Sequence, residues 1–220
     1  MSQSCQECQC LIEEPESDQI AVDVNAQQND GTTPQRTTSF ARDRKLTHNI
    51  DALKQWTGKT SATIVYDNTV DESTHNGLFE KVKGKRNIAL IATTADGDVF
   101  GAFYSVAVTE QQKDFDDPDI FIFSFESHGR CETPQRFVVH EESKDRANVW
   151  LEMSNDSGFV CFTVSGYGWF WLGDERSDSF CFELSTGFEG LEDTTLTGEK
   201  GSWTSGPYHH CTRLLAVHLS

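Results

Sequence analysis

Ile88-Ala-Leu-Ile-Ala-Thr-Thr94, Ala95-Asp-Gly-Asp98 and Val99-Phe-Gly-Ala-Phe-Tyr104 decide the fold class. The first block is apolar and ends in two threonines, a composition that suits a buried, pleated surface. The last block returns to that composition after a four-residue polar break. Gly97 can supply the positive φ that a tight turn needs, so the two blocks read as an antiparallel hairpin, with the return strand expected over Val99–Val108. A further apolar strand, Ile120–Phe125, follows the acidic loop Asp114–Asp119.

On the N-terminal side, Leu46, Ile50, Leu53 and Trp56 recur at helical spacing. This predicts a helix with Thr47 as its N-cap and Gly58 in the left-handed conformation just past its end. From Thr63 the period becomes two, and Ile64 and Tyr66 alternate with Val65 before Asp67-Asn68 breaks the strand. A short helix is expected around Thr74–Lys83, with Leu78, Phe79 and Val82 inward and Gly84 closing it. On the C-terminal side, strands are expected at Gln135–His140, Ala147–Met153, Phe159–Val164, Trp169–Leu172, Ser179–Leu184 and Cys211–Leu219. Strands outnumber helices and are spaced like hairpins. The expected class is α+β, mainly antiparallel β: a two-sheet sandwich with a few flanking helices.

Composition sets the outer limits. The chain has 220 residues, 24.7 kDa, five Trp and 15 Phe, enough for one sizeable core. Residues 1–33 carry seven acidic residues, no Lys or Arg and little apolar surface. Residues 1–40 therefore read as a disordered acidic, polar tail dispensable for folding. Residues 41–60 read as a basic linker with a helix, and 61–220 as the folded domain. No apolar run is long enough to cross a bilayer. Met1-Ser-Gln-Ser-Cys5 resembles no signal peptide and lacks the glycine that myristoylation needs. A cytoplasmic location is expected, with the seven Cys reduced and the sequon at Asn155 without meaning. A net charge of −17 argues against nucleic acid and against an anionic membrane surface as partners.

Read in order, these blocks resemble one family, the TLDc domain, in its amoebozoan and protist forms. The resemblance runs over residues 45–219. It rests on Trp56-Thr-Gly58, Tyr66-Asp67, Phe79-Glu-Lys-Val-Lys-Gly-Lys85, the hairpin into Val99-Phe-Gly-Ala-Phe-Tyr104, and Phe121-Ile-Phe-Ser-Phe-Glu-Ser-His-Gly-Arg130 with Pro134 and Phe137. Gly190-Leu191, Leu196-Thr-Gly198 and Arg213-Leu-Leu-Ala-Val217 complete it. The resemblance implies a β-sandwich with flanking helices and a non-enzymatic interaction or adaptor protein linked to oxidative-stress resistance. It also implies peripheral subunits of the vacuolar proton pump (V-ATPase) as partners. Two positions depart from the animal and fungal pattern: Val106-Ala-Val108 follows Ser105 where a Trp is usual, and Leu215-Ala-Val217 lacks the usual Glu.

Motifs that could carry chemistry favour structural readings. Cys5, Cys8 and Cys10 lack a nearby fourth ligand for zinc. They read as an unmodified or incidentally reactive cluster, with lipidation as the alternative. His209-His210-Cys211 could bind metal or form a Cys–His pair, but neighbours on a strand point to opposite faces. Cys161 and Cys181 suit small core positions. Asp114-Phe-Asp-Asp-Pro-Asp119 lacks the Gly that a calcium loop needs at its sharp turn. Tyr167, Trp169 and Trp171 share a strand face that could stack on a sugar or peptide, although core packing is the commoner use. Ser39, three residues after Arg36 and near Arg42, Arg44 and Lys45, suits a basophilic kinase. No catalytic residue, cofactor or metal is expected. Two rivals to the adaptor stay open: an enzyme whose site is assembled from distant residues, and a sugar- or peptide-binding sandwich.

Overall fold

In the computed structural model the described residues are 44–151, 162–165, 169–172, 180–182, 184–198 and 211–220. The elements run α1 (Arg44–Thr57), β1 (Ala62–Asp67), α2 (His75–Val82), β2 (Ile88–Thr94), β3 (Val99–Tyr104), β4 (Phe115–Asp116), β5 (Phe121–Glu126) and β6 (Gln135–Val138). A 3₁₀ turn, Glu141–Arg146, leads to β7 (Asn148–Leu151), β8 (Phe162–Ser165), β9 (Trp169–Leu172), β10 (Phe180–Phe182), α3 (Leu184–Gly187) and β11 (Cys211–Leu219). They form two antiparallel sheets, one ordered β1-β11-β2-β3-β5-β6 and the other β10-β9-β8-β7-β4. This is the expected α+β sandwich.

Alternation along the strands of the larger sheet creates two cores. One face carries Leu90, Phe100, Ala102, Ile122 and Leu214, which pack with Leu78, Phe79 and Val82 of α2 and Val149 and Leu151 of β7. The opposite face carries Ile91, Phe103, Phe121, Phe123, Phe125 and Leu215, and α1 covers it with Ile50 and Leu53. Leu53 is fully buried, which contributes about 2–3 kcal/mol relative to exposure. Trp56 stacks on Phe125, centroids 5.9 Å apart, and meets Phe121 edge-on at 6.2 Å.

Local signals end several elements where the sequence places them. Gly58 takes φ 69° and Lys59 N–H reaches back to Lys54 O, a Schellman closure of α1. Thr74 caps α2 by accepting from Gly77 N–H at 2.9 Å. At the β2–β3 hairpin Gly97 has φ 90°, and its N–H bonds Thr94 O. Gly101 is required for a different reason. A Cβ there would collide with Leu90 O and stand 2.6 Å from the Phe123 ring, so Phe100-Gly101 marks a site with no room for a side chain.

Five expectations need correcting. Thr47 lies inside α1, which begins at Arg44. β3 stops at Tyr104 and not at Val108, because the Asp117 carboxylate takes the Ser105 N–H. The acidic loop holds β4, paired with β7. β6 ends at Val138, since Val139 bridges to Phe188. Leu184 opens α3 and does not close a strand. Cys5, Cys8, Cys10, Ser39, Asn155, Cys161, Tyr167, His209 and His210 lie outside the described residues, as do the side chains of Trp169, Trp171 and Cys181.

Candidate functional site

The hairpin tip brings three separate sequence blocks together. Asp98, which enters β3, is 3% exposed. Its Oδ1 accepts from His128 Nδ1 at 2.8 Å and from Arg130 Nη2 at 2.6 Å. The same Nη2 donates to Leu196 O at 2.9 Å, and Arg130 Nε donates to Thr195 O at 3.0 Å. Ser127-His-Gly-Arg130 is a tight turn with positive φ at both His128 and Gly129, which aims both donors at the hairpin. The Asp-Gly-Asp turn, the Ser-His-Gly-Arg block and Leu196-Thr-Gly198 are thus held by one shared carboxylate. A carboxylate that accepts from a guanidinium forms a strong, directional link. The arrangement ties the loops together, with Asp98 buried and the His128 ring half exposed.

Two other buried carboxylates are also committed. Asp117, fully buried, accepts from the Ser105 N–H and hydroxyl and from Asp119 N–H. Burial, with Asp117 nearby, pushes the Tyr104 phenol well above its ordinary range. Asp67 Oδ2 accepts from Arg213 Nη2 at 2.7 Å, which links β1 to β11. Its Oδ1 accepts from the Thr69 hydroxyl at 2.7 Å. Burial alone would raise the Asp67 pKa, but these hydrogen bonds outweigh it and hold the carboxyl below its usual range.

An open groove of about 450 Å³ lies beside the end of α1. Trp56, Phe121 and Val138 supply apolar wall, and Lys59, Arg136, Lys144, Asp119 and Glu189 supply charge. Arg136 Nη1 donates to Trp56 O at 2.7 Å, and its guanidinium lies 6.0 Å from the Phe121 centroid. The groove brings exposed apolar and charged groups together among the described residues, and neither it nor the Asp98 junction is legible in the sequence. The junction's partners are 30 and 32 residues apart in the chain. The one available signal was that the Asp-Gly-Asp and Ser-His-Gly-Arg blocks both carried the family resemblance.

Of the foreseen candidates among the described residues, Cys211 is buried, with its thiol against Arg213 O at 3.1 Å. That is a packing position. The acidic loop turns Asp117 inward. Among the described residues no group of three His, Cys, Asp or Glu is placed to share a metal ion, and no helix is long and apolar enough to cross a membrane.

The profile of the TLDc domain matches residues 37–161, which contain α1 through β7. No curated protein matches the chain. With more than half its length matched, the chain belongs to the TLDc domain family.

Proposed function

We propose that this protein is a non-enzymatic adaptor that acts by presenting its TLDc surface to a protein partner. TLDc domains are generally interaction modules associated with oxidation resistance. The observation that carries the reading is the state of the buried acids. Asp67, Asp98 and Asp117 are the buried carboxylates among the described residues, and each accepts hydrogen bonds from arginine, hydroxyl or backbone donors of the scaffold. A carboxylate bonded in this way positions structure and does not stand ready to move a proton.

The partner proposed is a peripheral V-ATPase subunit. After residue 60 the chain has 26 acidic and 12 basic residues, so its overall field attracts a basic surface and association slows as salt screens it. Purified protein mixed with the isolated peripheral sector is expected to bind, and more weakly at physiological than at low salt. No binding at either salt removes the pump as partner. Turnover of a substrate that is lost in His210→Ala or Cys211→Ala would replace the adaptor reading with an enzymatic one.

A further inference from the structure

The groove beside α1 departs from the charge of the protein as a whole. The chain carries −17 overall, yet Lys59 and Arg136 stand together at the α1 end, with Arg136 fixed on Trp56 O. Lys59 and Lys85 both act on His218, whose pKa is lowered by burial and then by these two cations. At the other end Lys144 faces Asp119 and Glu189 and is bonded to Glu141, so that end is net acidic. The groove is polarised.

Apolar surface is available between the two ends. Arg136 and Val138 alternate with buried Phe137 on β6, so they share a face about 7 Å apart. Val138, 37% exposed, is one of two large apolar side chains left exposed among the described residues. Trp56 is half-buried. Arg136 donates one N–H to Trp56 O, and a guanidinium has five, which leaves donors for a second acceptor.

We infer that this groove docks a short acidic segment of a partner protein, with an apolar or aromatic side chain against Trp56 and Val138 and carboxylates toward Lys59 and Arg136. The sign of the whole chain sharpens the choice of occupant. A net −17 repels a nucleic acid or an anionic bilayer approaching as an extended polyanion, whereas a short segment meets only the local field. At about 450 Å³ the groove is in the range that holds small ligands or a few side chains. The inference does not depend on the pump being the partner.

The test uses the full chain and three fluorescein-labelled synthetic peptides that share a Phe-Leu centre flanked by Glu, Gln or Lys. Anisotropy is expected to show the Glu peptide binding tightest and the Lys peptide weakest. Each step should be about two- to fivefold at low salt and shrink as salt rises. Lys59→Glu should weaken the Glu peptide by a similar factor and tighten the Lys peptide. Val138→Ser should weaken all three alike. Both variants alter surface positions, and unchanged thermal melting would show that they fold. The inference is overturned if the Glu peptide fails to bind at about 1 mM, if the three peptides bind equally, if the Lys peptide binds best, or if neither variant changes Glu-peptide affinity.

Discussion

Asp98 and Arg136 are charged side chains on the same six-stranded sheet, and they differ in what surrounds them. Asp98 is buried at the hairpin tip, where His128 and Arg130 share its oxygen. Arg136 lies on the sheet's outer face and uses one N–H on the end of α1. At the tip, Asp98 is the buried member, so removing its donors leaves a buried carboxylate without bonds. In the groove, charge faces solvent, so its removal costs little stability and alters what can dock. The sheet thus carries its interlocked polar contacts at one place and its solvent-facing charge at another.

The comparison is broken most severely at Gly101, which lies beneath both regions. Gly101→Ala forces a methyl group against Leu90 O and the Phe123 ring, and Phe123 packs against Trp56, centroids 6.3 Å apart. Urea unfolding should show a loss of about 3 kcal/mol or more, with peptide binding impaired as well. Asp98→Ala should separate the regions. It leaves Arg130 and His128 without their shared acceptor, costs about 2 kcal/mol through the lost charge-assisted hydrogen bonds, and leaves groove affinity unchanged in the same anisotropy assay. Gly97→Val should cost about 1–3 kcal/mol through its positive φ alone, since the space there is open enough for a Cβ. A neutral result in a melting experiment would contradict the turn geometry.

Acid titration probes a third region. Asp67 has a folded pKa below its unfolded value of 3.8, so it contributes stability that is fully present above pH 3.8 and lost as pH falls through the lower folded value. Arg213→Met should remove much of that acid dependence, read from urea midpoints between pH 2 and 5. His218 acts in the opposite charge sense. Its folded pKa lies below 6.5, so the unfolded chain binds more protons in that window and stability rises with pH until about 6.5. Lys59→Gln should flatten this rise slightly while changing stability at pH 7 by less than about 0.5 kcal/mol.

Much of the scaffold was legible because it is written locally. β2, β9 and β11 fall on the residues expected, since each is an apolar block between polar breaks. Gly58 and Gly97 act where turn and cap chemistry places them. α3 has only four residues and no periodicity to detect. β4 is two residues inside an acidic stretch that resembles a loop. The start of α1 was misplaced because Thr47 resembles a cap and nothing local forbids one. The junction and the groove were not legible. Their residues are ordinary charged side chains whose burial or exposure depends on contacts made from distant parts of the chain, such as Arg130 with Thr195 and Arg136 with Trp56.

The position of β11 has a kinetic consequence. It lies between β1 and β2, pairing with both, so a strand near the end of the sequence fills the gap between two near its start. Arg213 meets Asp67 across 146 positions. During synthesis the larger sheet cannot close until β11 has left the ribosome, and until then β1 and β2 present unpaired edges suited to wrong pairing. High contact order of this kind slows folding into the millisecond-to-second range. Any truncation that removes β11 should leave a chain that aggregates, even though the family-matched residues 37–161 remain intact.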